Sequence, residues 1–176
     1  MKKILLFIGI IFISASASFA QKSIGLRLGT YGILYQLLTS EFSLMNNEIT
    51  YQQPIDNDRL EIDFGMFGGF NFENKDYNKF VLSLTGVYQY KFATIKDFSC
   101  YAGPAASIGL YFLEEDKDFE GATLGIGGQA GVEYSLSSKG LPFLFSLDTR
   151  PMINLLSARK LKGFDIGIYL SVRYLF

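Results

Sequence analysis

The chain is expected to fold as an all-β, eight-stranded antiparallel up-and-down transmembrane β-barrel. Three observations predict it. An export signal precedes the rest of the chain, apolar and small or polar residues then alternate with period two, and the connections are by turns tight and long. After the opening segment no apolar run is long enough to cross a bilayer as a helix.

The opening "MKKILLFIGIIFISASASFA" carries Lys2 and Lys3, an apolar run over residues 5–13, and the small-residue site Ser18, Phe19, Ala20. That is the layout of a secretory signal peptide over residues 1–20, with cleavage after Ala20. A membrane anchor is the alternative, but the run falls short of the ~20 apolar residues a spanning helix needs. Residues 21–176 suit one domain, the barrel itself.

The first strand is "SIGLRLGTYG", with Ile24, Leu26 and Leu28 against Gly25, Arg27, Gly29 and Tyr31. "NEITYQQ" is a shorter strand with Ile49 and Tyr51 on its apolar face. "LEIDFGMFGGFNF" sets Leu60, Ile62, Phe64, Met66, Phe70 and Phe72 against Glu61, Asp63, Gly65, Gly69 and Asn71, with Phe67 on this second face. "KFVLSLTGVYQYKF" sets Phe80, Leu82, Leu84, Tyr88, Tyr90 and Phe92 against Ser83, Thr85, Gln89 and Lys91. "FSCYAGPAASIGLYF" and "ATLGIGGQAGVEYSL" alternate in the same way, the second with Gln129 and Glu133 on its polar face. "LPFLFSLDTRPMI" opposes Phe143, Phe145, Leu147, Thr149, Pro151 and Ile153 to Leu144, Ser146, Asp148, Arg150 and Met152. "FDIGIYLSVRYLF" closes the set, with Arg173 on its weaker face.

"PIDND", "IKD" and "SSKG" are tight connections, whereas "ILYQLLTSEFSLM", "ENKDYN", "EEDKDFEG" and "SARKLKG" are longer or more charged. Aromatic residues gather near both ends of the strands. Tyr88, Tyr90, Phe92, Phe98, Tyr134, Phe143, Tyr174 and Phe176 lie by the tight turns, and Phe70, Phe72, Phe80, Phe112 and Phe164 by the long loops. These are the two interfacial girdles of a membrane barrel.

A soluble exported barrel that binds an apolar ligand is the competing architecture. Its outward face needs many Lys, Glu and Asp. The weaker face here is mostly Gly, Ser, Thr and Tyr, and turning the Phe-rich face inward would overfill an eight-stranded lumen.

With the apolar face outward, the lumen receives Arg27, Glu61, Asp63, Lys91, Glu133, Asp148, Arg150 and Arg173. Charges in so narrow a space must pair or stay hydrated. An interior salt-bridge network is expected, with inward glycines making room for it. The same cluster could instead line the filter of a narrow channel or carrier for small solutes.

The composition excludes other classes. Net charge is −1, so no basic field points to nucleic acid. There is no histidine, and no nucleophile–base pair can be assembled, so an enzyme is not expected. Cys100, the single cysteine, reads as a small outward-facing residue. "GIGGQAG" lies inside a strand without a lysine or a following helix, so it is no phosphate loop. "EEDKDFE" lacks the ligand spacing of a calcium site, so no metal or other cofactor is expected. Arg159, Lys160 and Lys162 stand on an outer loop, where lipopolysaccharide phosphates are candidate contacts. The apolar stretch at residues 33–45 is the best candidate for binding a partner.

Taken together, "IGLRLG", "EITYQQPIDNDRLEIDFG", "LTGVYQYKF", "YAGPAASIGLY", "LGIGGQAGVEYSL", "SLDTRPM" and "SVRYLF" resemble a family of small outer-membrane β-barrel proteins of Bacteroidota. The resemblance covers nearly all of residues 21–176 and implies a barrel of the size of the OmpX and OmpA membrane domains. That family has no agreed activity and assigns no catalytic residue. Its most characteristic parts hold Glu61, Asp63, Asp148 and Arg150. The chain departs from it by having no tryptophan and by its apolar first loop.

The expected setting is therefore the bacterial outer membrane. Its lipid and lipopolysaccharide would be the surroundings, the barrel-assembly machinery a transient partner, and the protein a monomer. Tyr174 and Phe176 resemble the C-terminal signal which that machinery reads.

Overall fold

The computed structural model describes residues 21–30, 46–68, 79–113, 119–157 and 164–176. The expected signal peptide, the apolar stretch 33–45, residues 73–78 and 114–118, and the basic loop with Arg159, Lys160 and Lys162 lie outside the described residues. So do Phe70 and Phe72 of the upper girdle.

Eight strands among the described residues close into one antiparallel barrel, each paired with its neighbours in sequence and the last with the first. They are β1 (Ser23–Thr30), β2 (Asn46–Ile55), β3 (Asp58–Gly68), β4 (Lys79–Ile95), β5 (Phe98–Leu113), β6 (Phe119–Ser135), β7 (Phe143–Ser157) and β8 (Phe164–Leu175). Away from the bulges, the period-two reading holds in three dimensions for the strand side chains described. Arg27, Glu61, Asp148, Arg150 and Arg173 are buried, while Leu26, Phe64, Leu147, Ile168 and Leu170 stand exposed on the outer wall. The molecule is thus inverted relative to a water-soluble domain, with a polar core and an apolar surface.

Two hairpins use two-residue loops. Ile55 pairs with Asp58, and Ile95 with Phe98. The first loop residue takes positive φ in each, 54° at Asp56 and 55° at Lys96, as hairpin turns that match strand twist require. The third tight connection carries a 3₁₀ turn, Ser137–Lys139, ended by Gly140 at φ 76°.

Following in-line partners around the wall fixes the stagger. From Ser23 the path runs through Gln52, Glu61, Val87, Ala105, Gly127 and Met152 to Asp165. Ser23 itself pairs with Leu175, ten positions further along β8. A shear of ten on eight strands tilts them by about 40° and leaves an interior that side chains can fill.

Three irregularities mark the wall. Phe92 is bulged out of the β4–β5 ladder, and Leu155 out of the β6–β7 ladder. As a result Leu155 and Leu156 both face outward. The β5–β6 register also shifts beyond Tyr111. Proline breaks two ladders. The β4–β5 pairing jumps from Val87↔Ala105 to Tyr90↔Ala102, skipping Pro104, and the β6–β7 pairing jumps across Pro151. A proline has no N–H to give to a ladder.

The lower aromatic girdle is in place. Tyr90, Phe92, Phe98, Phe143, Tyr174 and Phe176 are all exposed around the tight-turn end. Ring pairs tie adjacent strands there: Tyr88 with Tyr90, Phe98 with Tyr134, and Phe143 with Tyr174, at centroid distances of 4.8, 4.6 and 5.9 Å. At the other end Phe164 is exposed.

Candidate functional site

All eight charged residues named from the sequence point to the lumen, because each occupies the strand face opposite the apolar one. The structure does not join them in a single cluster. Arg27, Glu61, Asp63, Asp148, Arg150 and Arg173 meet at mid-height, whereas Lys91 and Glu133 pair near the tight-turn mouth.

Glu61 on β3 is the hub. Its Oε1 accepts from Arg27 Nη1 at 2.8 Å and from Gln129 Nε2 at 3.1 Å. Its Oε2 accepts from Arg173 Nη2 and from Gln52 Nε2, both at 2.7 Å. Arg173 also donates to Ser146 Oγ at 2.7 Å. Its carboxylate partner therefore sits across the lumen on β3, not on a neighbouring strand as chain order alone suggests. Shear is the physical reason, since it sets which strands' side chains share a height.

Arg27 on β1 reaches four carboxylates. Besides Glu61, it contacts Asp148 in a short charge-assisted bond, Asp63 at 3.5 Å, and Glu48 Oε2 at 3.3 Å through Nε. Arg150 on β7 makes a short bond to Asp63 and lies 3.5 Å from Glu48 and from Glu61. The Glu48 contacts lack hydrogen-bond angles and act as charge proximity only. Arg27 and Arg150 share Glu61 and Asp63 as common partners, and the Tyr169 ring lies close to both guanidiniums, with Arg27 Cζ 4.1 Å and Arg150 Cζ 5.2 Å from its centroid. Tyr101 Oη donates to Asp148 Oδ2 at 3.0 Å. Glycines make the room: a Cβ on Gly29 or Gly167 would strike the Tyr169 ring, and one on Gly131 would strike Asp148.

Toward the tight turns, Glu133 serves two cations, Arg59 Nη2 at 2.5 Å and Lys91 Nζ at 3.0 Å. A glutamine relay connects this group to the hub. Arg59 Nε donates to Gln89 Oε1, Gln89 Nε2 to Gln129 Oε1 at 3.1 Å, and Gln129 to Glu61.

The sequence reading omitted Glu48, Arg59, Gln52, Gln89, Gln129 and Tyr169 from this constellation. Period two could have found Glu48 and Arg59. Glu48 precedes Ile49 and Arg59 precedes Leu60, each at the end of an alternating run where turn and strand are hard to separate. The glutamines carry no charge to draw notice; only their convergence gives them weight.

Taken as chemistry, the site holds ions against one another. Among the described residues no group of histidine, cysteine, aspartate or glutamate is arranged to hold a metal. Side chains that are fully or almost fully buried cross the lumen from β1 to β7, from β8 to β3 and from β4 to β6.

No protein-family profile matches the chain, and no curated sequence does either. Solved structures with this fold are found. Neisserial surface protein A superposes with a TM-score of 0.62 at 15% identity, covering 89% of this chain and 95% of that one. Outer membrane protein H (OprH) of P. aeruginosa gives 0.61 at 18% identity, over 89% and 100%. The attachment invasion locus protein Ail of Yersinia pestis gives 0.51 at 12%, over 89% and 97%. At these identities the likeness is one of fold, and the fold is that of the small eight-stranded outer-membrane β-barrels.

Proposed function

We propose that this protein is a small barrel of the bacterial outer membrane, closed by its own interior charges, with a structural or surface-interaction role in the cell envelope. The observation that carries the reading is the crossed lumen beneath an apolar wall: Arg173 to Glu61 and Arg27 to Glu61 at 2.7 and 2.8 Å, every one of these side chains buried. An ion would have to break several charge-assisted bonds to pass, each worth more than an ordinary hydrogen bond.

The rest of the reading rests on the sequence. It comprises removal of residues 1–20, a monomer, recognition of Tyr174 and Phe176 during assembly, lipopolysaccharide contact through Arg159, Lys160 and Lys162, and kinship with the Bacteroidota barrels. It includes no enzymatic step. An attachment role, such as the name of Ail records for that protein, falls within this class.

Purified protein in a planar bilayer is expected to show no stable single-channel steps. Reproducible steps would overturn the closed-lumen reading in favour of a narrow channel. Resistance to carbonate extraction, together with a heat-modifiable shift on gels, is expected of the membrane barrel. Release by carbonate would mean a soluble barrel.

A further inference from the structure

The tight-turn mouth opens into a cup of about 370 Å³. Small-molecule sites run from about 300 to 1,000 Å³. The network above seals its inner end, so the cup is blind. Its floor and its rim carry opposite surplus charge. On the floor, Glu133 is the one carboxylate for two cations, Arg59 and Lys91. The Lys91 side chain is 34% exposed, against 6% or less for the other ion-paired lumen side chains described. An ammonium has three donors, and Glu133 takes one. On the rim, Asp56 and Asp97 outnumber Lys96, Asp58 being engaged by the Tyr88 hydroxyl of the outer girdle at 3.2 Å, and serines and amides fill the spaces between them.

This arrangement selects by sign. A simple anion must pass the acidic rim to reach Lys91. A simple cation is held at the rim and repelled by the floor. A molecule with both signs meets both surfaces. We propose that the cup binds a small zwitterion of the amino-acid or short-peptide class. Its carboxylate would lie on Lys91 beside Arg59, and its ammonium among the rim aspartates. That the cup opens toward the periplasm rests on the membrane reading above; the binding itself does not, so failure of one leaves the other testable.

The test is a titration of the detergent-solubilised protein with alanylalanine, followed by amide NMR. Saturable shifts are expected at Asp97, Ser99, Ser135 and Ser137, which line or adjoin the cup. N-acetyl-alanylalanine, without the ammonium, and alanylalanine amide, without the carboxylate, should each bind about tenfold more weakly, the effect of one lost charge contact. Lys91→Met should weaken the dipeptide about tenfold while leaving the heat-modifiable gel shift in place. Asp97→Asn, on the exposed rim, should weaken the dipeptide but not the N-acetyl analogue, and it decides the matter if the Lys91 variant does not fold. Absence of saturation, equal binding of all three peptides, or unchanged affinity in both variants would overturn the proposal.

Discussion

Glu61 and Lys91 show how position decides what an ion pair contributes. Both are paired, but Glu61 takes four strong donors and is fully buried, whereas Lys91 shares one carboxylate at a solvent-facing mouth. Losing one member of a buried pair leaves its partners charged and desolvated, at a cost of about 3–5 kcal/mol. Glu61→Ala should therefore lower urea stability in detergent by about that much, and Asp148→Ala by about 3 kcal/mol. Lys91→Met should change it by less than about 1 kcal/mol. Urea midpoints read from the heat-modifiable gel shift check all three, and equal losses would mean that the lumen is uniformly hydrated. Glycines divide in the same way. A Cβ at Gly103 would land on the Tyr88 carbonyl oxygen, while one at Gly86 meets nothing within 4 Å. Gly103→Ala should abolish refolding, and Gly86→Ala should be silent in the same assay.

Among the elements, the hairpins and ladders are where local chemistry is least comfortable. Asp56 and Lys96 hold φ near 55°, where an L-residue pays about 1 kcal/mol or more and glycine pays none. Lys96→Gly should raise the urea midpoint by the equivalent of up to about 1 kcal/mol, less the entropy that glycine adds to the unfolded chain. A lower midpoint would show that the lysine side chain matters more than the turn. The strands and their facing were legible from alternation, but their ends were not: β2 runs Asn46–Ile55 where the alternation marks 47–53, and β7 runs Phe143–Ser157 where it marks 141–153. Nor were their irregularities. The bulges at Phe92 and Leu155 come from two strands disagreeing in length over one ladder, and neither strand carries that information by itself.

The whole molecule is held by ring closure. Lys22 and Phe176 exchange backbone bonds of 3.0 and 2.9 Å, so the final residue takes part in the β1–β8 seam. Deleting Phe176 removes those two bonds and should cost refolded protein about 1–3 kcal/mol. If Phe176 is also an assembly signal, the amount of inserted barrel in a Gram-negative host should fall by much more than that loss of stability explains. Parallel losses in cells and in detergent would reduce it to a seam residue.

Period two, read from the residues, was sufficient for the fold class and for the facing of nearly every described strand side chain. The reason is physical: side chains alternate across a strand, and one face must be apolar throughout if it is to meet lipid. What only the tertiary structure decided is partnership. Which carboxylate meets Arg173, why Arg27 touches four acids, and why Lys91 and Glu133 stand apart from the rest all depend on a shear of ten. Shear is a property of the closed ring, set by registers accumulated over eight seams, and no strand encodes it alone.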